Sequence, residues 1–145
     1  MNEAANDAHV NETGVLDTNA VILLSRLSDP SCLPRFPVIT TITLAELSVG
    51  PHVADSERER AARQAHLQQA EADFEPLPFD AAAARAFGQI ASDLRREERK
   101  RSARAYDALI AAVALSRALP IYTANPADFR GISDLEVIEI PVPGS

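Results

Sequence analysis

Asp17, Glu46, Asp107 and Asp128 each sit at or just past the end of a short apolar run. The segments are Val15-Leu16-Asp17-Thr18-Asn19, Leu44-Ala45-Glu46-Leu47, Tyr106-Asp107-Ala108-Leu109-Ile110-Ala111-Ala112 and Thr123-Ala124-Asn125-Pro126-Ala127-Asp128-Phe129. Carboxylates so placed, if they converge, form an all-oxygen site for a hard cation able to activate water against a phosphodiester. The other chemistry-bearing residues offer less. His9, His52 and His66 are scattered without paired spacing and read as surface residues. Cys32 is the single cysteine, which excludes an intrachain disulfide and a cysteine-based zinc cluster and suits a reducing cytoplasm.

Bringing four acids together requires a fold that gathers strand ends. A chain of 145 residues fits one domain with a substantial core. Apolar and polar segments alternate as strands and helices without a repeat or a low-complexity linker, which predicts an α/β domain: a central parallel sheet flanked by helices in an α/β/α arrangement. Residues 1–13 are expected to be a flexible extension, 14–141 the domain, and 142–145 a tail. The longest apolar runs are too short to span a bilayer, so no membrane association is expected.

The expected strands cover Gly14 to Asp17, Pro37 to Thr41, Pro120 to Thr123 and Val137 to Ile140, with Phe74 to Phe79 a connector or a further short strand. Helices are expected through Ala20 to Leu24, through Leu44 to Val49 with Gly50-Pro51 as a stop, and from Ser56, with capping-box spacing to Glu59, to about Asp73. Asp80 caps the next, whose Ala84, Phe87, Ile90 and Leu94 recur at helical spacing as a core stripe. Ala105 to Leu119 is a last helix, nearly all apolar from Ala108 to Leu115 and therefore buried, with Asp107 in its first turn. In a doubly wound sheet the carboxyl ends of strands and the amino ends of the following helices share one edge, so all four acids can face one crevice there.

Each acid alone has an ordinary explanation: a helix cap at Asp17 or Thr18, a solvent-facing residue for Glu46, a dipole-favoured first-turn acid for Asp107, a turn former for Asp128. The conjunction weighs more, and Asp107 most, because it introduces an apolar run and a carboxylate at a core margin needs a partner. In this order and spacing the segments resemble the PIN domain, and within it the VapC-type toxins of bacterial toxin-antitoxin pairs, across nearly the whole stretch from Gly14 to Ile140. The resemblance implies a metal-dependent endoribonuclease that cuts structured cellular RNA, commonly as a homodimer, and is silenced by a cognate antitoxin. It carries the catalytic and metal-binding roles onto Asp17, Glu46, Asp107 and Asp128, with Mg²⁺ or Mn²⁺ as the cofactor, and supporting roles onto Thr123, Asn125 and Asn19. Many relatives have a basic residue where this chain has Ala124, and Arg104 is the candidate substitute.

The net charge of −7 argues against indiscriminate attraction to nucleic acid. The average hides a basic segment, Arg95, Arg96, Arg99, Lys100, Arg101 and Arg104, diluted by Asp93, Glu97 and Glu98. Arg99, Arg101 and Arg104 are expected to contact either the RNA backbone or an acidic stretch of the antitoxin. Two rivals come from other classes. An Asp-based phosphatase wants a second Asp two residues after the first, where this chain has Asn19. A noncatalytic nucleic-acid or protein-binding module on the same fold differs only in lacking metal-dependent cleavage.

Overall fold

The computed structural model describes residues 12–27, 29–97 and 101–142. Four short strands, β1 (Thr13–Leu16), β2 (Phe36–Val38), β3 (Ile121–Thr123) and β4 (Val137–Glu139), form one sheet in the order β2-β1-β3-β4 with every pairing parallel. Val15 is in register with Val38 on one side and with Ile121 on the other, which puts β1 and β3 at the centre. After β1 the chain moves outward in one direction to β2, and after β3 it moves outward in the other to β4. The C-terminal ends of β1 and β3 therefore flank the point where the strand order reverses, the ligand crevice of such sheets.

Side-chain alternation along the central strands builds two cores. Val15 and Ile121 point to one face, where helices α4 (Ala81–Glu97) and α5 (Arg101–Ser116) pack with Ile90, Ile110, Ala111, Ala112, Ala114 and Phe129. Leu16 and Tyr122 point to the other, covered by α1 (Thr18–Leu23), α2 (Thr41–Val49) and α3 (Glu57–Asp73) through Ala20, Val21, Leu47 and Ala70. This is the expected three-layer arrangement. A fully buried Ile or Val in such a core contributes about 1.5–3 kcal/mol. Gly14 sits where β1 passes closest to β3, since a Cβ there would overlap the Tyr122 ring.

Several element limits differ from those read in the sequence, for physical reasons. Thr40, expected inside the second strand, instead ends it: its hydroxyl accepts the Thr43 N–H at 3.2 Å and caps α2, which starts at Thr41 rather than Leu44. Gly50 keeps a right-handed helical conformation with φ −48°, and the chain tightens into a 3₁₀ turn over Gly50–Val53. Its carbonyls are satisfied by α3, where Arg63 donates to Gly50 O and Arg60 to Pro51 O, each at 3.0 Å. Ser56 caps α3 as expected, but Glu59 reaches back to the Asp55 N–H rather than to that of Ser56. The buried face of α4 is Ala83, Ala86, Phe87, Ile90 and Leu94, so the expected stripe is correct except for Ala84, which is exposed. Leu77 forms an isolated parallel bridge with Thr40, which makes the connector expected over Phe74 to Phe79 a one-residue extension of the sheet beside β2.

The largest correction concerns α5. It begins at Arg101, four residues before the expected Ala105, and ends at Ser116, with Ala118 turning the chain through φ 57°. Asp107 therefore lies in the second turn, beyond the reach of the helix N-terminal dipole. Arg101 and Arg104 of the basic segment thus belong to the start of the helix that carries the third acid.

Candidate metal centre

Asp17 follows β1 directly and is 2% exposed. A carboxylate that deep needs its lone pairs met, and two elements meet them. Oδ1 accepts the Ala20 N–H at 2.9 Å, which makes Asp17 the cap of α1, and Oδ2 accepts the Thr123 hydroxyl of β3 at 2.6 Å. Thr123 is fully buried, and its oxygen also accepts the Asn125 N–H at 3.0 Å. Asn125 in turn points its amide NH₂ at Asp128 Oδ1, 3.1 Å away. The link from Asp17 to Asp128 is thus a continuous series of hydrogen bonds across the ends of β1 and β3.

A second series begins one residue later. Thr18 Oγ1 donates to Glu46 Oε1 at 2.5 Å and lies 2.9 Å from Thr43 Oγ1, joining the start of α1 to α2. Thr18 and Thr43 were not singled out in the sequence. The signal available for Thr43 was its position three residues before Glu46, which puts the two on one helix face. Asn19, expected to support the site, stands exposed in the first turn of α1.

Charge ties the two series together. Burial, the largest influence, raises the Asp17 carboxyl above its ordinary range against the lowering effect of its two hydrogen bonds, and the charge of Asp128 raises it further. Glu46 is raised in the same way, by burial first and by the charge of Asp17, with the Thr18 hydrogen bond opposing. Asp107 is half-buried on α5, immediately before the buried run that starts at Ala108, and α5 packs against the helix that carries Glu46. The structure thus links Asp17, Glu46 and Asp128 through neighbouring hydrogen bonds and charge, and carries Asp107 on an adjoining helix. Among the described residues no three His, Cys, Asp or Glu side chains close on a single point as a ready-made cage.

The donor chemistry nevertheless suits a hard divalent cation. Mg²⁺ keeps several of its waters and takes only one or two direct carboxylates, so a wide, like-charged group of oxygens around one buried aspartate is a fitting surround for it. Arg99 lies outside the described residues, as do the side chains of Arg101 and Arg104. His52 is exposed, and His66 lines a groove of about 290 Å³ between α1 and α3 with Val21, Ile22, Ala70 and Phe74, away from the acids.

A parallel α/β/α domain with linked carboxylates at its topological switch point defines a class of acidic-site domain suited to metal-assisted chemistry on phosphate esters. The PIN domain model matches residues 14–135, and the chain belongs to the PIN domain family. It is 40% identical over 131 residues to ribonuclease VapC5 of Mycobacterium tuberculosis, covering 88% of this chain and 95% of that protein. It is 32% identical over 128 residues to the tRNA(fMet)-specific endonuclease VapC of Shigella flexneri, covering 83% of this chain and 92% of the relative. The crystal structure of VapBC-5, a toxin-antitoxin system of Mycobacterium tuberculosis, superposes with a TM-score of 0.75 at 38% identity over 89% of this chain and 99% of the other.

Proposed function

We infer that this protein is the toxin ribonuclease of a toxin-antitoxin pair, an endoribonuclease that hydrolyses phosphodiester bonds in RNA at the crevice between β1 and β3. The observation that carries the reading is the buried Asp17, held from two elements and surrounded by further acids. Membership of the PIN domain family and likeness to named VapC ribonucleases over most of the chain support it. Asp17, Glu46, Asp107 and Asp128 are the proposed cation ligands and catalytic acids, and Mg²⁺ or Mn²⁺ is the proposed ion. When bound, the cation supplies Lewis acidity toward water and the scissile phosphate.

The residues of the chain prepare that chemistry. Asp17 is fixed by the Ala20 N–H and the Thr123 hydroxyl, which supports its role as the ligand held in one orientation. Asn125 turns Asp128 toward the same edge. Glu46 is held by Thr18 as a further ligand or as the acid that orients the attacking water. Arg99, Arg101 and Arg104 are proposed to hold the RNA backbone, or an acidic stretch of the antitoxin in the silenced state. A homodimer is the proposed assembly and the cytoplasm the proposed setting, where RNA is at hand and the lone Cys32 thiol stays reduced.

The test is cleavage of a structured RNA by purified protein. Cleavage is expected with Mg²⁺ or Mn²⁺, none in chelator, and a rate lowered by orders of magnitude with Asp17→Asn. Full activity in chelator would overturn the metal role, and no cleavage of any RNA with either ion would leave a noncatalytic binding module on this fold.

A further inference from the structure

Two hydroxyls beneath Glu46 form a relay whose direction is fixed when the Glu46 carboxylate is ionised. Thr18 has one hydroxyl proton, and it is committed to Glu46 Oε1, because an ionised carboxylate can only accept. The contact between Thr18 Oγ1 and Thr43 Oγ1 must then run the other way, with Thr43 donating. Thr43 is fully buried, and its own N–H is taken by Thr40. A threonine inside a helix commonly turns its hydroxyl back onto a carbonyl of the preceding turn; this one reaches across to α1 instead. The sequence Thr43 O–H to Thr18 O–H to Glu46 is a directed series that runs from a fully buried hydroxyl to a half-buried carboxylate, and each bond polarises the next.

We propose that Thr43 is a positioning residue for the cation site: it acts through Thr18 to fix the rotamer of Glu46 and to hold that carboxylate ready for a divalent ion. It touches neither ion nor RNA. The proposal rests on the reading of Glu46 as a ligand given above, and extends the site to a buried residue of α2 that carries no charge. Removing the hydrogen-bond partner of a metal-binding carboxylate, here Thr18, lowers affinity by about 10–100-fold, and the lower end of that range applies to Thr43, one bond further back.

The experiment is a Mn²⁺ titration of the full chain, followed by the electron paramagnetic resonance of free Mn²⁺, with chelated melting curves to confirm folding. Thr43→Val keeps the branched shape and removes the donor; it is expected to weaken Mn²⁺ binding by about tenfold. Thr43→Ser restores the donor and is expected to bind as the wild type does. Thr18→Val should weaken binding at least as much, and the double variant Thr18→Val, Thr43→Val no more than Thr18→Val alone, since both residues lie on one path. Wild-type affinity in Thr43→Val overturns the proposal, as does an equal defect in Thr43→Ser, which would assign the effect to packing of the methyl group, or multiplication of the two single effects in the double variant. If Thr43→Val does not fold, Thr43→Ala beside Thr43→Ser decides in the same way. Glu46→Gln separates the two levels: wild-type Mn²⁺ affinity in that variant, or no Mn²⁺ binding by the wild type, overturns the ligand reading itself and the relay with it, whereas a weakened Glu46→Gln beside an unaffected Thr43→Val overturns the relay alone.

Discussion

Asp17 and Asp93 are both aspartates, both within a few per cent of complete burial, and both hydrogen-bonded to backbone N–H groups. Asp93 sits in the C-terminal half of α4, accepts the Ser133 N–H at 3.0 Å and the Gln89 amide at 3.3 Å, and so fastens α4 to the loop that leads into β4. Asp17 stands at a strand end with Thr123 and Ala20 as donors and with the charges of Asp128 and Glu46 nearby. Burial of a carboxylate therefore does not mark a functional site. What distinguishes Asp17 is the company of like charge at the one edge of the sheet where the strand order reverses. A structural carboxylate is surrounded by donors that favour its charge, whereas a cation-binding one is held among groups that oppose it until the ion arrives.

The contrast can be broken by substitution. Asp17→Asn is the largest expected effect: RNA cleavage falls by two orders of magnitude or more, while the fold survives, because an asparagine oxygen still caps α1 and the Thr123 hydroxyl can accept from its amide. Cleavage rates beside a circular dichroism melt check both halves of that statement. Thr123→Val comes next, with a loss of about 10–100-fold in cleavage through Asp17 left loose. It should weaken Mn²⁺ binding in parallel, and an unchanged affinity would show that Thr123 serves the fold alone.

Asp93→Ala should do the reverse of Asp17→Asn. It removes the charged acceptor of the part-buried Ser133 N–H bond and should cost about 1.5–3 kcal/mol of stability by denaturant titration, with cleavage per folded molecule unchanged. A large activity loss without a stability loss would place Asp93 in the functional machinery and erase the distinction.

The smallest expected effect is on pH dependence. The carboxyls of Asp17 and Glu46 are both raised, so without metal the folded state holds their protons to higher pH than the unfolded chain does. Their ionisation then costs stability: the cost is absent below the ordinary carboxylate range and grows as pH rises through the raised values. In chelator, the melting temperature of the wild type should fall relative to that of Asp17→Asn as pH rises through that window. A parallel pair of curves would mean that Asp17 is not ionised against repulsion.

Much of this arrangement was legible from residue order. Acids at the ends of apolar runs gave Asp17 and Asp128 their places beside β1 and β3, and the short segment between Thr123 and Asp128 holds the connection that the structure displays. What was not legible depends on contacts between elements distant in sequence. Thr18 and Thr43 are 25 residues apart, and nothing local announces that their hydroxyls meet. Asp93 read as one acid among arginines, because its partner Ser133 lies 40 residues on. Asp107 was placed one turn too early, since Arg101 to Arg104 carry charge without the apolar period that betrays a helix. Ala84 was assigned to the core because a small apolar residue fits either face of a helix, and only the packing of Ala83 decides between them.

The acids around Asp17 are proposed to form a cation site that opposes the metal-free fold rather than a structural network that supports it. Melting curves of wild type and Asp17→Asn, each in chelator and in saturating Mn²⁺, test it most directly. An ion that binds only the folded state stabilises it by about 2.7 kcal/mol when its free concentration is one hundred times the dissociation constant. Asp17→Asn is expected to melt as high as the wild type or higher in chelator, and to gain much less from Mn²⁺. A variant that melts lower than the wild type in chelator, with the same gain from Mn²⁺, would contradict it and make Asp17 a second Asp93.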